Sequence, residues 1–146
     1  MPAAAKYRFV SPEWIDALRV VLEDAFDSVD LGGIDFAFNE EYVNPPADLL
    51  APGQTTVAWY YRIRDGKIEV GAGTLPDATM TVTGDYETIR QLAKLLKSDP
   101  EQGAELERRA AEAYAAGKLG FSGDQTAMPA AVTGLGLHDR VAPITA

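Results

Sequence analysis

The chain has 146 residues, of which 47% are hydrophobic and 24% are charged, and its formal net charge at pH 7 is −9. This length predicts one domain with one core over residues 1–146, and the apolar runs are too short to cross a bilayer. The acidic excess repels phosphate backbones and argues against a nucleic-acid partner. The absence of cysteine excludes disulfides, thiolate zinc sites and cysteine nucleophiles.

The first ten residues, MPAAAKYRFV, are too short and too polar for the apolar segment of a signal peptide. We therefore expect a soluble, cytoplasmic protein with no stable membrane insertion. Residues 1–10 and 138–146 are predicted to form extended tails. No signature in the sequence predicts an oligomeric state.

The segment SPEWIDALRVVLEDAFDSVD, residues 11–30, predicts the first helix. Ser11 is a preferred N-cap residue, and Pro12 suits the first helical position. Apolar residues recur at three- and four-residue spacing and form one face. We expect this face to pack against a sheet.

Alternation with a period of two predicts the first strand in IDFAFNEEYV, residues 34–43. Ile34, Phe36 and Phe38 share one face of this strand. Continuing the alternation places Glu40 on the same apolar face and Glu41 on the opposite one.

Residues 44–54 contain three prolines and one glycine, which predicts a loop. This loop carries two adjacent leucines, Leu49 and Leu50. Apolar side chains in a loop either pack as ordinary loop residues or close over a ligand, and we interpret this pair as a gate.

The segment TTVAWYYRIRDGKIEVGAG, residues 55–73, predicts a β-hairpin, because Asp65-Gly66 favours a tight turn with positive φ at both central residues. Alternation also predicts a strand in ATMTVTGD, residues 78–85. We expect the first four strands to form an antiparallel meander.

From Asp85 the pattern becomes helical, and Asp85 suits the N-cap of a helix in YETIRQLAKLLKS. Asp99 and Pro100 suit the start of the next helix, and Gly117 its end. KLGFSG, residues 118–123, predicts a fifth strand that a helical crossover returns to the sheet. A last helix is expected within DQTAMPAAVTGLGL, although Pro129 leaves its start open.

This order of elements resembles the sterol carrier protein 2 family of lipid-binding domains. The resemblance is carried by LPDATMTVTGDYETIRQLA, residues 75–93, and by AYAAGKLGFSGDQTAMPAAV, residues 113–132. It implies an α+β fold in which a five-stranded mixed, mainly antiparallel sheet and about four helices enclose an apolar tunnel. It also implies a hydrophobic ligand such as a fatty acid, acyl-CoA or sterol-like lipid, no cofactor, and, with the alanine-rich composition, a bacterial member.

A tunnel needs apolar side chains beyond those that fill a small core, because an empty apolar volume reduces stability unless a ligand occupies it. Each candidate lining residue can equally belong to the core. The candidates lie on predicted apolar faces; they are Phe26, Phe36, Phe38, Trp59, Tyr61, Met80, Leu92, Leu96, Tyr114, Phe121, Met128 and Val132.

Glu40 is the candidate catalytic residue, since burial would raise its pKa and suit it to accept a proton or to anchor a ligand head group. The alternative is a solvated carboxylate at a strand end. His138 is the only histidine, and its neighbour Asp139 is badly placed to orient its ring, so no nucleophilic triad is predicted. The scattered carboxylates show no metal-ligand spacing, and no metal site is expected.

The sequence is compatible with three functions. The preferred one is a non-enzymatic carrier of a hydrophobic small molecule. The second is an isomerase or cyclase that transfers a proton on a polyketide-like or terpenoid-like substrate in the same pocket. The third is an accessory interaction domain whose pocket is filled by its own side chains.

Overall fold

A computed structural model describes residues 5–146 of the chain. Within this range the protein is an α+β fold with one five-stranded mixed sheet, as expected, together with five α-helices and two short 3-10 helices. The strands are β1 (Phe36–Val43), β2 (Thr56–Arg64), β3 (Lys67–Ala72), β4 (Met80–Asp85) and β5 (Leu119–Gly123). The α-helices are α1 (Pro12–Phe26), α2 (Tyr86–Ala93), α3 (Pro100–Ala115), α4 (Ala130–Thr133) and α5 (Leu137–Val141).

The predicted helix starts are confirmed by their caps. The Ser11 hydroxyl accepts a hydrogen bond from the Trp14 amide at 3.1 Å. Asp85 and Asp99 cap α2 and α3 by accepting from main-chain amides of the first turn. The predicted helices extend beyond the observed ones. α1 ends at Phe26 and α2 at Ala93, before the apolar pattern stops. The reason is that a residue following a helix can still pack against the core, and periodicity alone does not mark that boundary.

The β2–β3 hairpin has the predicted tight turn. Asp65 has a φ of 55° and Gly66 a φ of 74°, so both central residues occupy the left-handed region. Arg64 pairs directly with Lys67 across the turn. The two-residue connection therefore matches the twist of the strands that it joins.

The prediction of a four-stranded antiparallel meander is wrong. The strand order is β3-β2-β1-β4-β5, and β4 lies beside β1 in parallel orientation. The other three pairings are antiparallel. Alternation predicts which residues share a face but not which strands are neighbours, so the return of β4 to the far side of β1 left no mark in the sequence pattern.

The connection from β3 to β4 is held on the polar face of the sheet. The buried Asn39 side chain of β1 donates to the Leu75 carbonyl at 2.9 Å and accepts from the Leu75 amide at 2.8 Å. Thr79 then pairs with Ala37 through its main-chain amide and its hydroxyl. These contacts hold the connection as it crosses β2 and β1 and bring β4 to the far side of β1.

The expectation of extended tails is wrong for residues 5–10 and 138–146; residues 1–4 lie outside the described part of the chain. Tyr7 forms a parallel bridge with Thr145, and Phe9 and Ile144 are buried in the core. The Trp14 indole nitrogen of α1 donates to the Thr145 hydroxyl at 3.1 Å. Both terminal segments belong to the packed structure because they carry apolar residues that cover the same end of α1.

Helix α5 is also fixed in place. His138 Nε2 lies 2.7 Å from the Leu95 carbonyl, and the Asp139 carboxylate accepts from the amides of Lys97 and Ser98. Burial lowers the pKa of His138. These two side chains join α5 to the segment between α2 and α3.

Candidate ligand site

One face of the sheet is apolar, and a row of four paired residues crosses it. Trp59 of β2 lies opposite Glu40 of β1, Glu40 is in register with Val82 of β4, and Val82 pairs with Phe121 of β5. Strands are spaced about 4.8 Å apart, so Phe121 and Glu40 are about 10 Å apart along the row. The row runs from the filled centre of the sheet to its edge.

The β1–β2 half of this face is filled by the protein's own aromatic rings. The ring of Phe38 lies 5.1 Å from that of Tyr61 and 5.9 Å from that of Trp59. Phe36 and Phe26 pack on Tyr61 at 5.9 and 6.5 Å. All five side chains are buried, which identifies this region as core.

The β5 edge of the same face is incompletely covered. The Phe121 residue is 41% exposed although it pairs with the buried Val82. Tyr114, near the end of α3, is 62% exposed, and its ring lies 6.2 Å from that of Phe121. Two aromatic side chains therefore present a joint apolar surface beside the sheet edge.

Glu40 carries an ionisable group into this apolar face. The Tyr42 hydroxyl donates to Glu40 Oε2 at 2.8 Å, and the Trp59 indole nitrogen donates to the Tyr42 oxygen at 3.3 Å. Desolvation raises the pKa of Glu40 from 4.5 to about 7, although the hydrogen bond from Tyr42 and the nearby Trp59 indole N–H act in the opposite direction. Burial, together with the neighbouring Glu40, raises the pKa of Tyr42 well above its ordinary value, so this phenol remains a donor.

The second oxygen of Glu40, Oε1, has no hydrogen-bond partner among residues 5–146. Oε1 is also accessible to solvent. Among residues 5–146, Arg62 Nε is the only fully enclosed side-chain nitrogen or oxygen that lacks a hydrogen-bond partner, so the unpaired Oε1 is not fully enclosed. Residue 40 also keeps accessible surface, while Trp59 and Val82 on either side are buried. Accessible surface requires a space of at least about one water molecule beside this residue.

The predicted lining residues fall into three groups. Phe26, Phe36, Phe38, Trp59, Tyr61, Met80, Leu92 and Val132 are buried in the core. Leu96 and Met128 are partly buried. Tyr114 and Phe121 are exposed, at 62% and 41%. The exposed pair follows from the position of β5 at the sheet edge, which the sequence did not predict.

The predicted gate residues Leu49 and Leu50 are partly buried at the end of a 3-10 helix, Ala47–Leu49. Leu49 borders an open pocket of about 690 Å³ that also contacts Val10, Ile15 and Val57. A smaller pocket of about 300 Å³ lies between Arg8, Tyr86 and Arg90. Neither pocket contacts Glu40 or Phe121.

Tyr42 was missed as a site residue. The signal was present, because the alternation that places Phe38 and Glu40 on one face also places Tyr42 there. Its contact with Trp59 depends on the β1–β2 register, in which Glu40 lies opposite Trp59. The sequence alone does not give that register.

In the part of the chain that the structure describes, no cluster of three or more His, Asp or Glu residues could hold a metal ion. None of the helices between residues 5 and 146 is long and apolar enough to cross a membrane.

No protein-family model matches the chain, and no curated protein matches it. Solved structures do, among them the following two. A conserved hypothetical protein from Thermus thermophilus, described as a candidate sterol carrier protein, aligns with a TM-score of 0.56 and 14% identity over 99% of this chain and 94% of its own. The sterol carrier protein domain 2 of Helicoverpa armigera aligns with a TM-score of 0.50 and 14% identity over 95% of both chains. The chain therefore has the fold of the sterol carrier protein 2 domains.

Proposed function

We propose that this protein binds and carries a hydrophobic small molecule, of the class of fatty acids, acyl-CoA or sterol-like lipids, without catalysing a reaction on it. The observation that carries the proposal is the uncovered apolar surface of Phe121 and Tyr114 at the edge of an otherwise buried sheet face. Exposed paired aromatics of this kind are typical of binding surfaces. One similar structure is named as a sterol carrier protein domain and the other as a candidate sterol carrier protein, which supports the same class of ligand.

The proposed ligand surface is the exposed β5 edge rather than the centre of the sheet, because Met80 and Val82 of β4 are themselves buried. Aromatic packing among Phe36, Phe38 and Tyr61 fills the β1–β2 half and leaves no room there. Leu119 and Met128 are partly buried and pack against the core, so they extend the apolar lining on the β5 side. Leu49 borders a separate pocket that contacts neither Phe121 nor Glu40, so the gate predicted at Leu49 and Leu50 is not assigned to this surface.

Burial of an alkyl chain supplies enough free energy for this role. Each buried methylene contributes about 0.8 kcal/mol, so a sixteen-carbon chain has about 10 kcal/mol available before the cost of ordering. No charged anchor is needed for binding.

Replacing Phe121 with Asp is expected to weaken binding of a fluorescent sterol and of a fluorescent fatty acid by at least about tenfold. The change removes an apolar contact worth about 1.5–3 kcal/mol and places a charge at the ligand surface. Fluorescence titration of the purified variants measures the affinities.

Val20→Asp is the matched control, because Val20 is 67% exposed on α1 and is not part of this surface. It should change affinity by less than about twofold. Equal effects of Phe121→Asp and Val20→Asp would place the ligand elsewhere. A wild-type protein that yields no lipid on solvent extraction and binds neither probe would overturn the carrier proposal.

A second candidate is an enzyme that transfers a proton, and the pKa of Glu40 near 7 favours it, because a general base works best near the ambient pH. Incubation of the protein with its extracted ligand in deuterated water separates the two candidates. The carrier predicts no deuterium on ligand carbon. Incorporation by the wild type but not by Glu40→Gln, measured by mass spectrometry, would favour the enzyme.

A further inference from the structure

We propose that Glu40 Oε1 anchors the polar end of the ligand, and that this end is a hydroxyl or another uncharged hydrogen-bond donor rather than a carboxylate. The inference rests on the proposed binding function and narrows its ligand class. A sterol-like or long-chain alcohol fits it; an ionised fatty acid does not.

The hydrogen-bond arrangement determines what Glu40 can accept. Oε2 is occupied by the Tyr42 hydroxyl, whose own oxygen is occupied by the Trp59 indole nitrogen. Oε1 has no partner among the described residues and adjoins accessible space. An unpaired carboxylate oxygen in an apolar surrounding is a strong acceptor and lacks only a donor.

The position of Glu40 fits a ligand that enters from the β5 edge. Phe121 and Glu40 belong to the same cross-strand row, separated by the apolar Val82. A ligand lying along this row would displace the side chains that bury Val82, cover Phe121 with its apolar body and reach Glu40 with its polar end, over a distance of about 10 Å. The row thus has an apolar outer part and a single polar inner end.

Above about pH 7, where Glu40 is ionised, the charges around it disfavour a carboxylate partner. The titratable groups that interact with Glu40 are the phenols of Tyr42 on β1 and Tyr61 on β2. Tyr86 of α2 interacts electrostatically with Tyr42. No Lys, Arg or His in residues 5–146 contributes to the titration of Glu40. Two carboxylates at hydrogen-bond distance in such a site cannot both be ionised without a large repulsion.

The test compares 1-dodecanol with dodecanoate, which share one chain and differ in the polar end. At about pH 8.5 the wild type should bind the alcohol at least about tenfold more tightly than the acid. At about pH 5.5, where Glu40 holds a proton that it can donate, this ratio should fall by at least about threefold. Displacement of a fluorescent sterol measures both affinities.

Glu40→Gln keeps the shape and the accepting oxygen but removes the charge. It should reduce the alcohol-to-acid ratio at about pH 8.5 by at least about fivefold and abolish its pH dependence. Glu41→Gln is the matched control, since Glu41 lies on the opposite face and accepts from Thr56. It should leave the ratio and its pH dependence unchanged.

The outcomes separate this inference from the binding function. If both compounds bind and Glu40→Gln leaves their ratio unchanged, the anchoring role is wrong and the carrier proposal stands. If the wild type binds neither compound nor the fluorescent sterol at either pH, both fail. A ratio that responds to Glu41→Gln instead would place the polar end on the other side of the sheet and overturn the assignment to Glu40.

Discussion

The substitution Glu40→Gln is expected to change the free energy of unfolding in favour of the folded protein, and this change should be about 3 kcal/mol larger at about pH 8 than at about pH 4. Desolvation raises the pKa of Glu40 from 4.5, its ordinary value in the unfolded chain, to about 7 in the folded protein. The wild type must therefore bury a charge at high pH. The amide of the variant removes that cost.

The sign follows from the two protonation states. Below pH 4.5 the carboxyl is protonated in both the folded and the unfolded chain, so burying it costs no charge and the folded protein has its full stability. Between pH 4.5 and 7 only the folded protein holds the proton, so the contribution is lost as the pH rises. Above that window the full penalty remains.

Urea denaturation across this pH range, for the wild type and the variant in parallel, measures the effect. The lowered pKa of His138 gives the opposite slope, but it is present in both proteins and cancels in the difference. Glu41→Gln should give a curve parallel to that of the wild type. Parallel curves for Glu40→Gln and the wild type would show that Glu40 ionises as freely as a surface residue.

Trp14→Ala should cost about 3–5 kcal/mol of unfolding free energy. Trp14 is 1% exposed, its ring packs edge-on against Phe9 at 5.0 Å and against Trp59 at 5.8 Å, and its indole nitrogen donates to Thr145. Truncation to Ala opens a cavity where α1, both terminal segments and the sheet meet. It also removes the hydrogen bond between α1 and residue 145.

Two variants calibrate this result in the same denaturation series. Trp14→Phe keeps most of the apolar volume and should cost less than Trp14→Ala, with about 1 kcal/mol of its loss due to the hydrogen bond. Val20→Ala, on the exposed face of the same helix, should change stability by less than about 0.5 kcal/mol. If Trp14→Ala cost no more than Val20→Ala, the terminal segments would not be packed on α1.

The elements that begin at an N-cap residue or contain a characteristic turn dipeptide could be predicted from the sequence. Ser11-Pro12, Asp85 and Asp99-Pro100 each supply an acceptor for the free amides of a helix start, and the structure uses all three. Asp65-Gly66 supplies the two positive φ values of the hairpin turn. These signals are local, so they do not depend on what the rest of the chain does.

The long-range features could not be predicted in the same way. The parallel neighbour of β1 is chosen by contacts such as Asn39 with Leu75, which join residues far apart in sequence. The inward position of Glu40 was predicted by alternation, whereas its chain of hydrogen bonds to Tyr42 and Trp59 needed the strand register. Tyr114 and Phe121 were predicted as apolar but not as exposed, because exposure depends on β5 being the last strand of the sheet.

The meeting of residues 7 and 145 constrains when the protein can complete its fold during synthesis. Trp14 finds its hydrogen-bond partner 131 positions later in the chain. Until residues 144 and 145 have left the ribosome, Phe9 and Trp14 lack the partners that these residues supply. Final packing of α1 therefore follows emergence of residues 144 and 145, and a nascent chain stalled before that point would leave this aromatic surface open to chaperones.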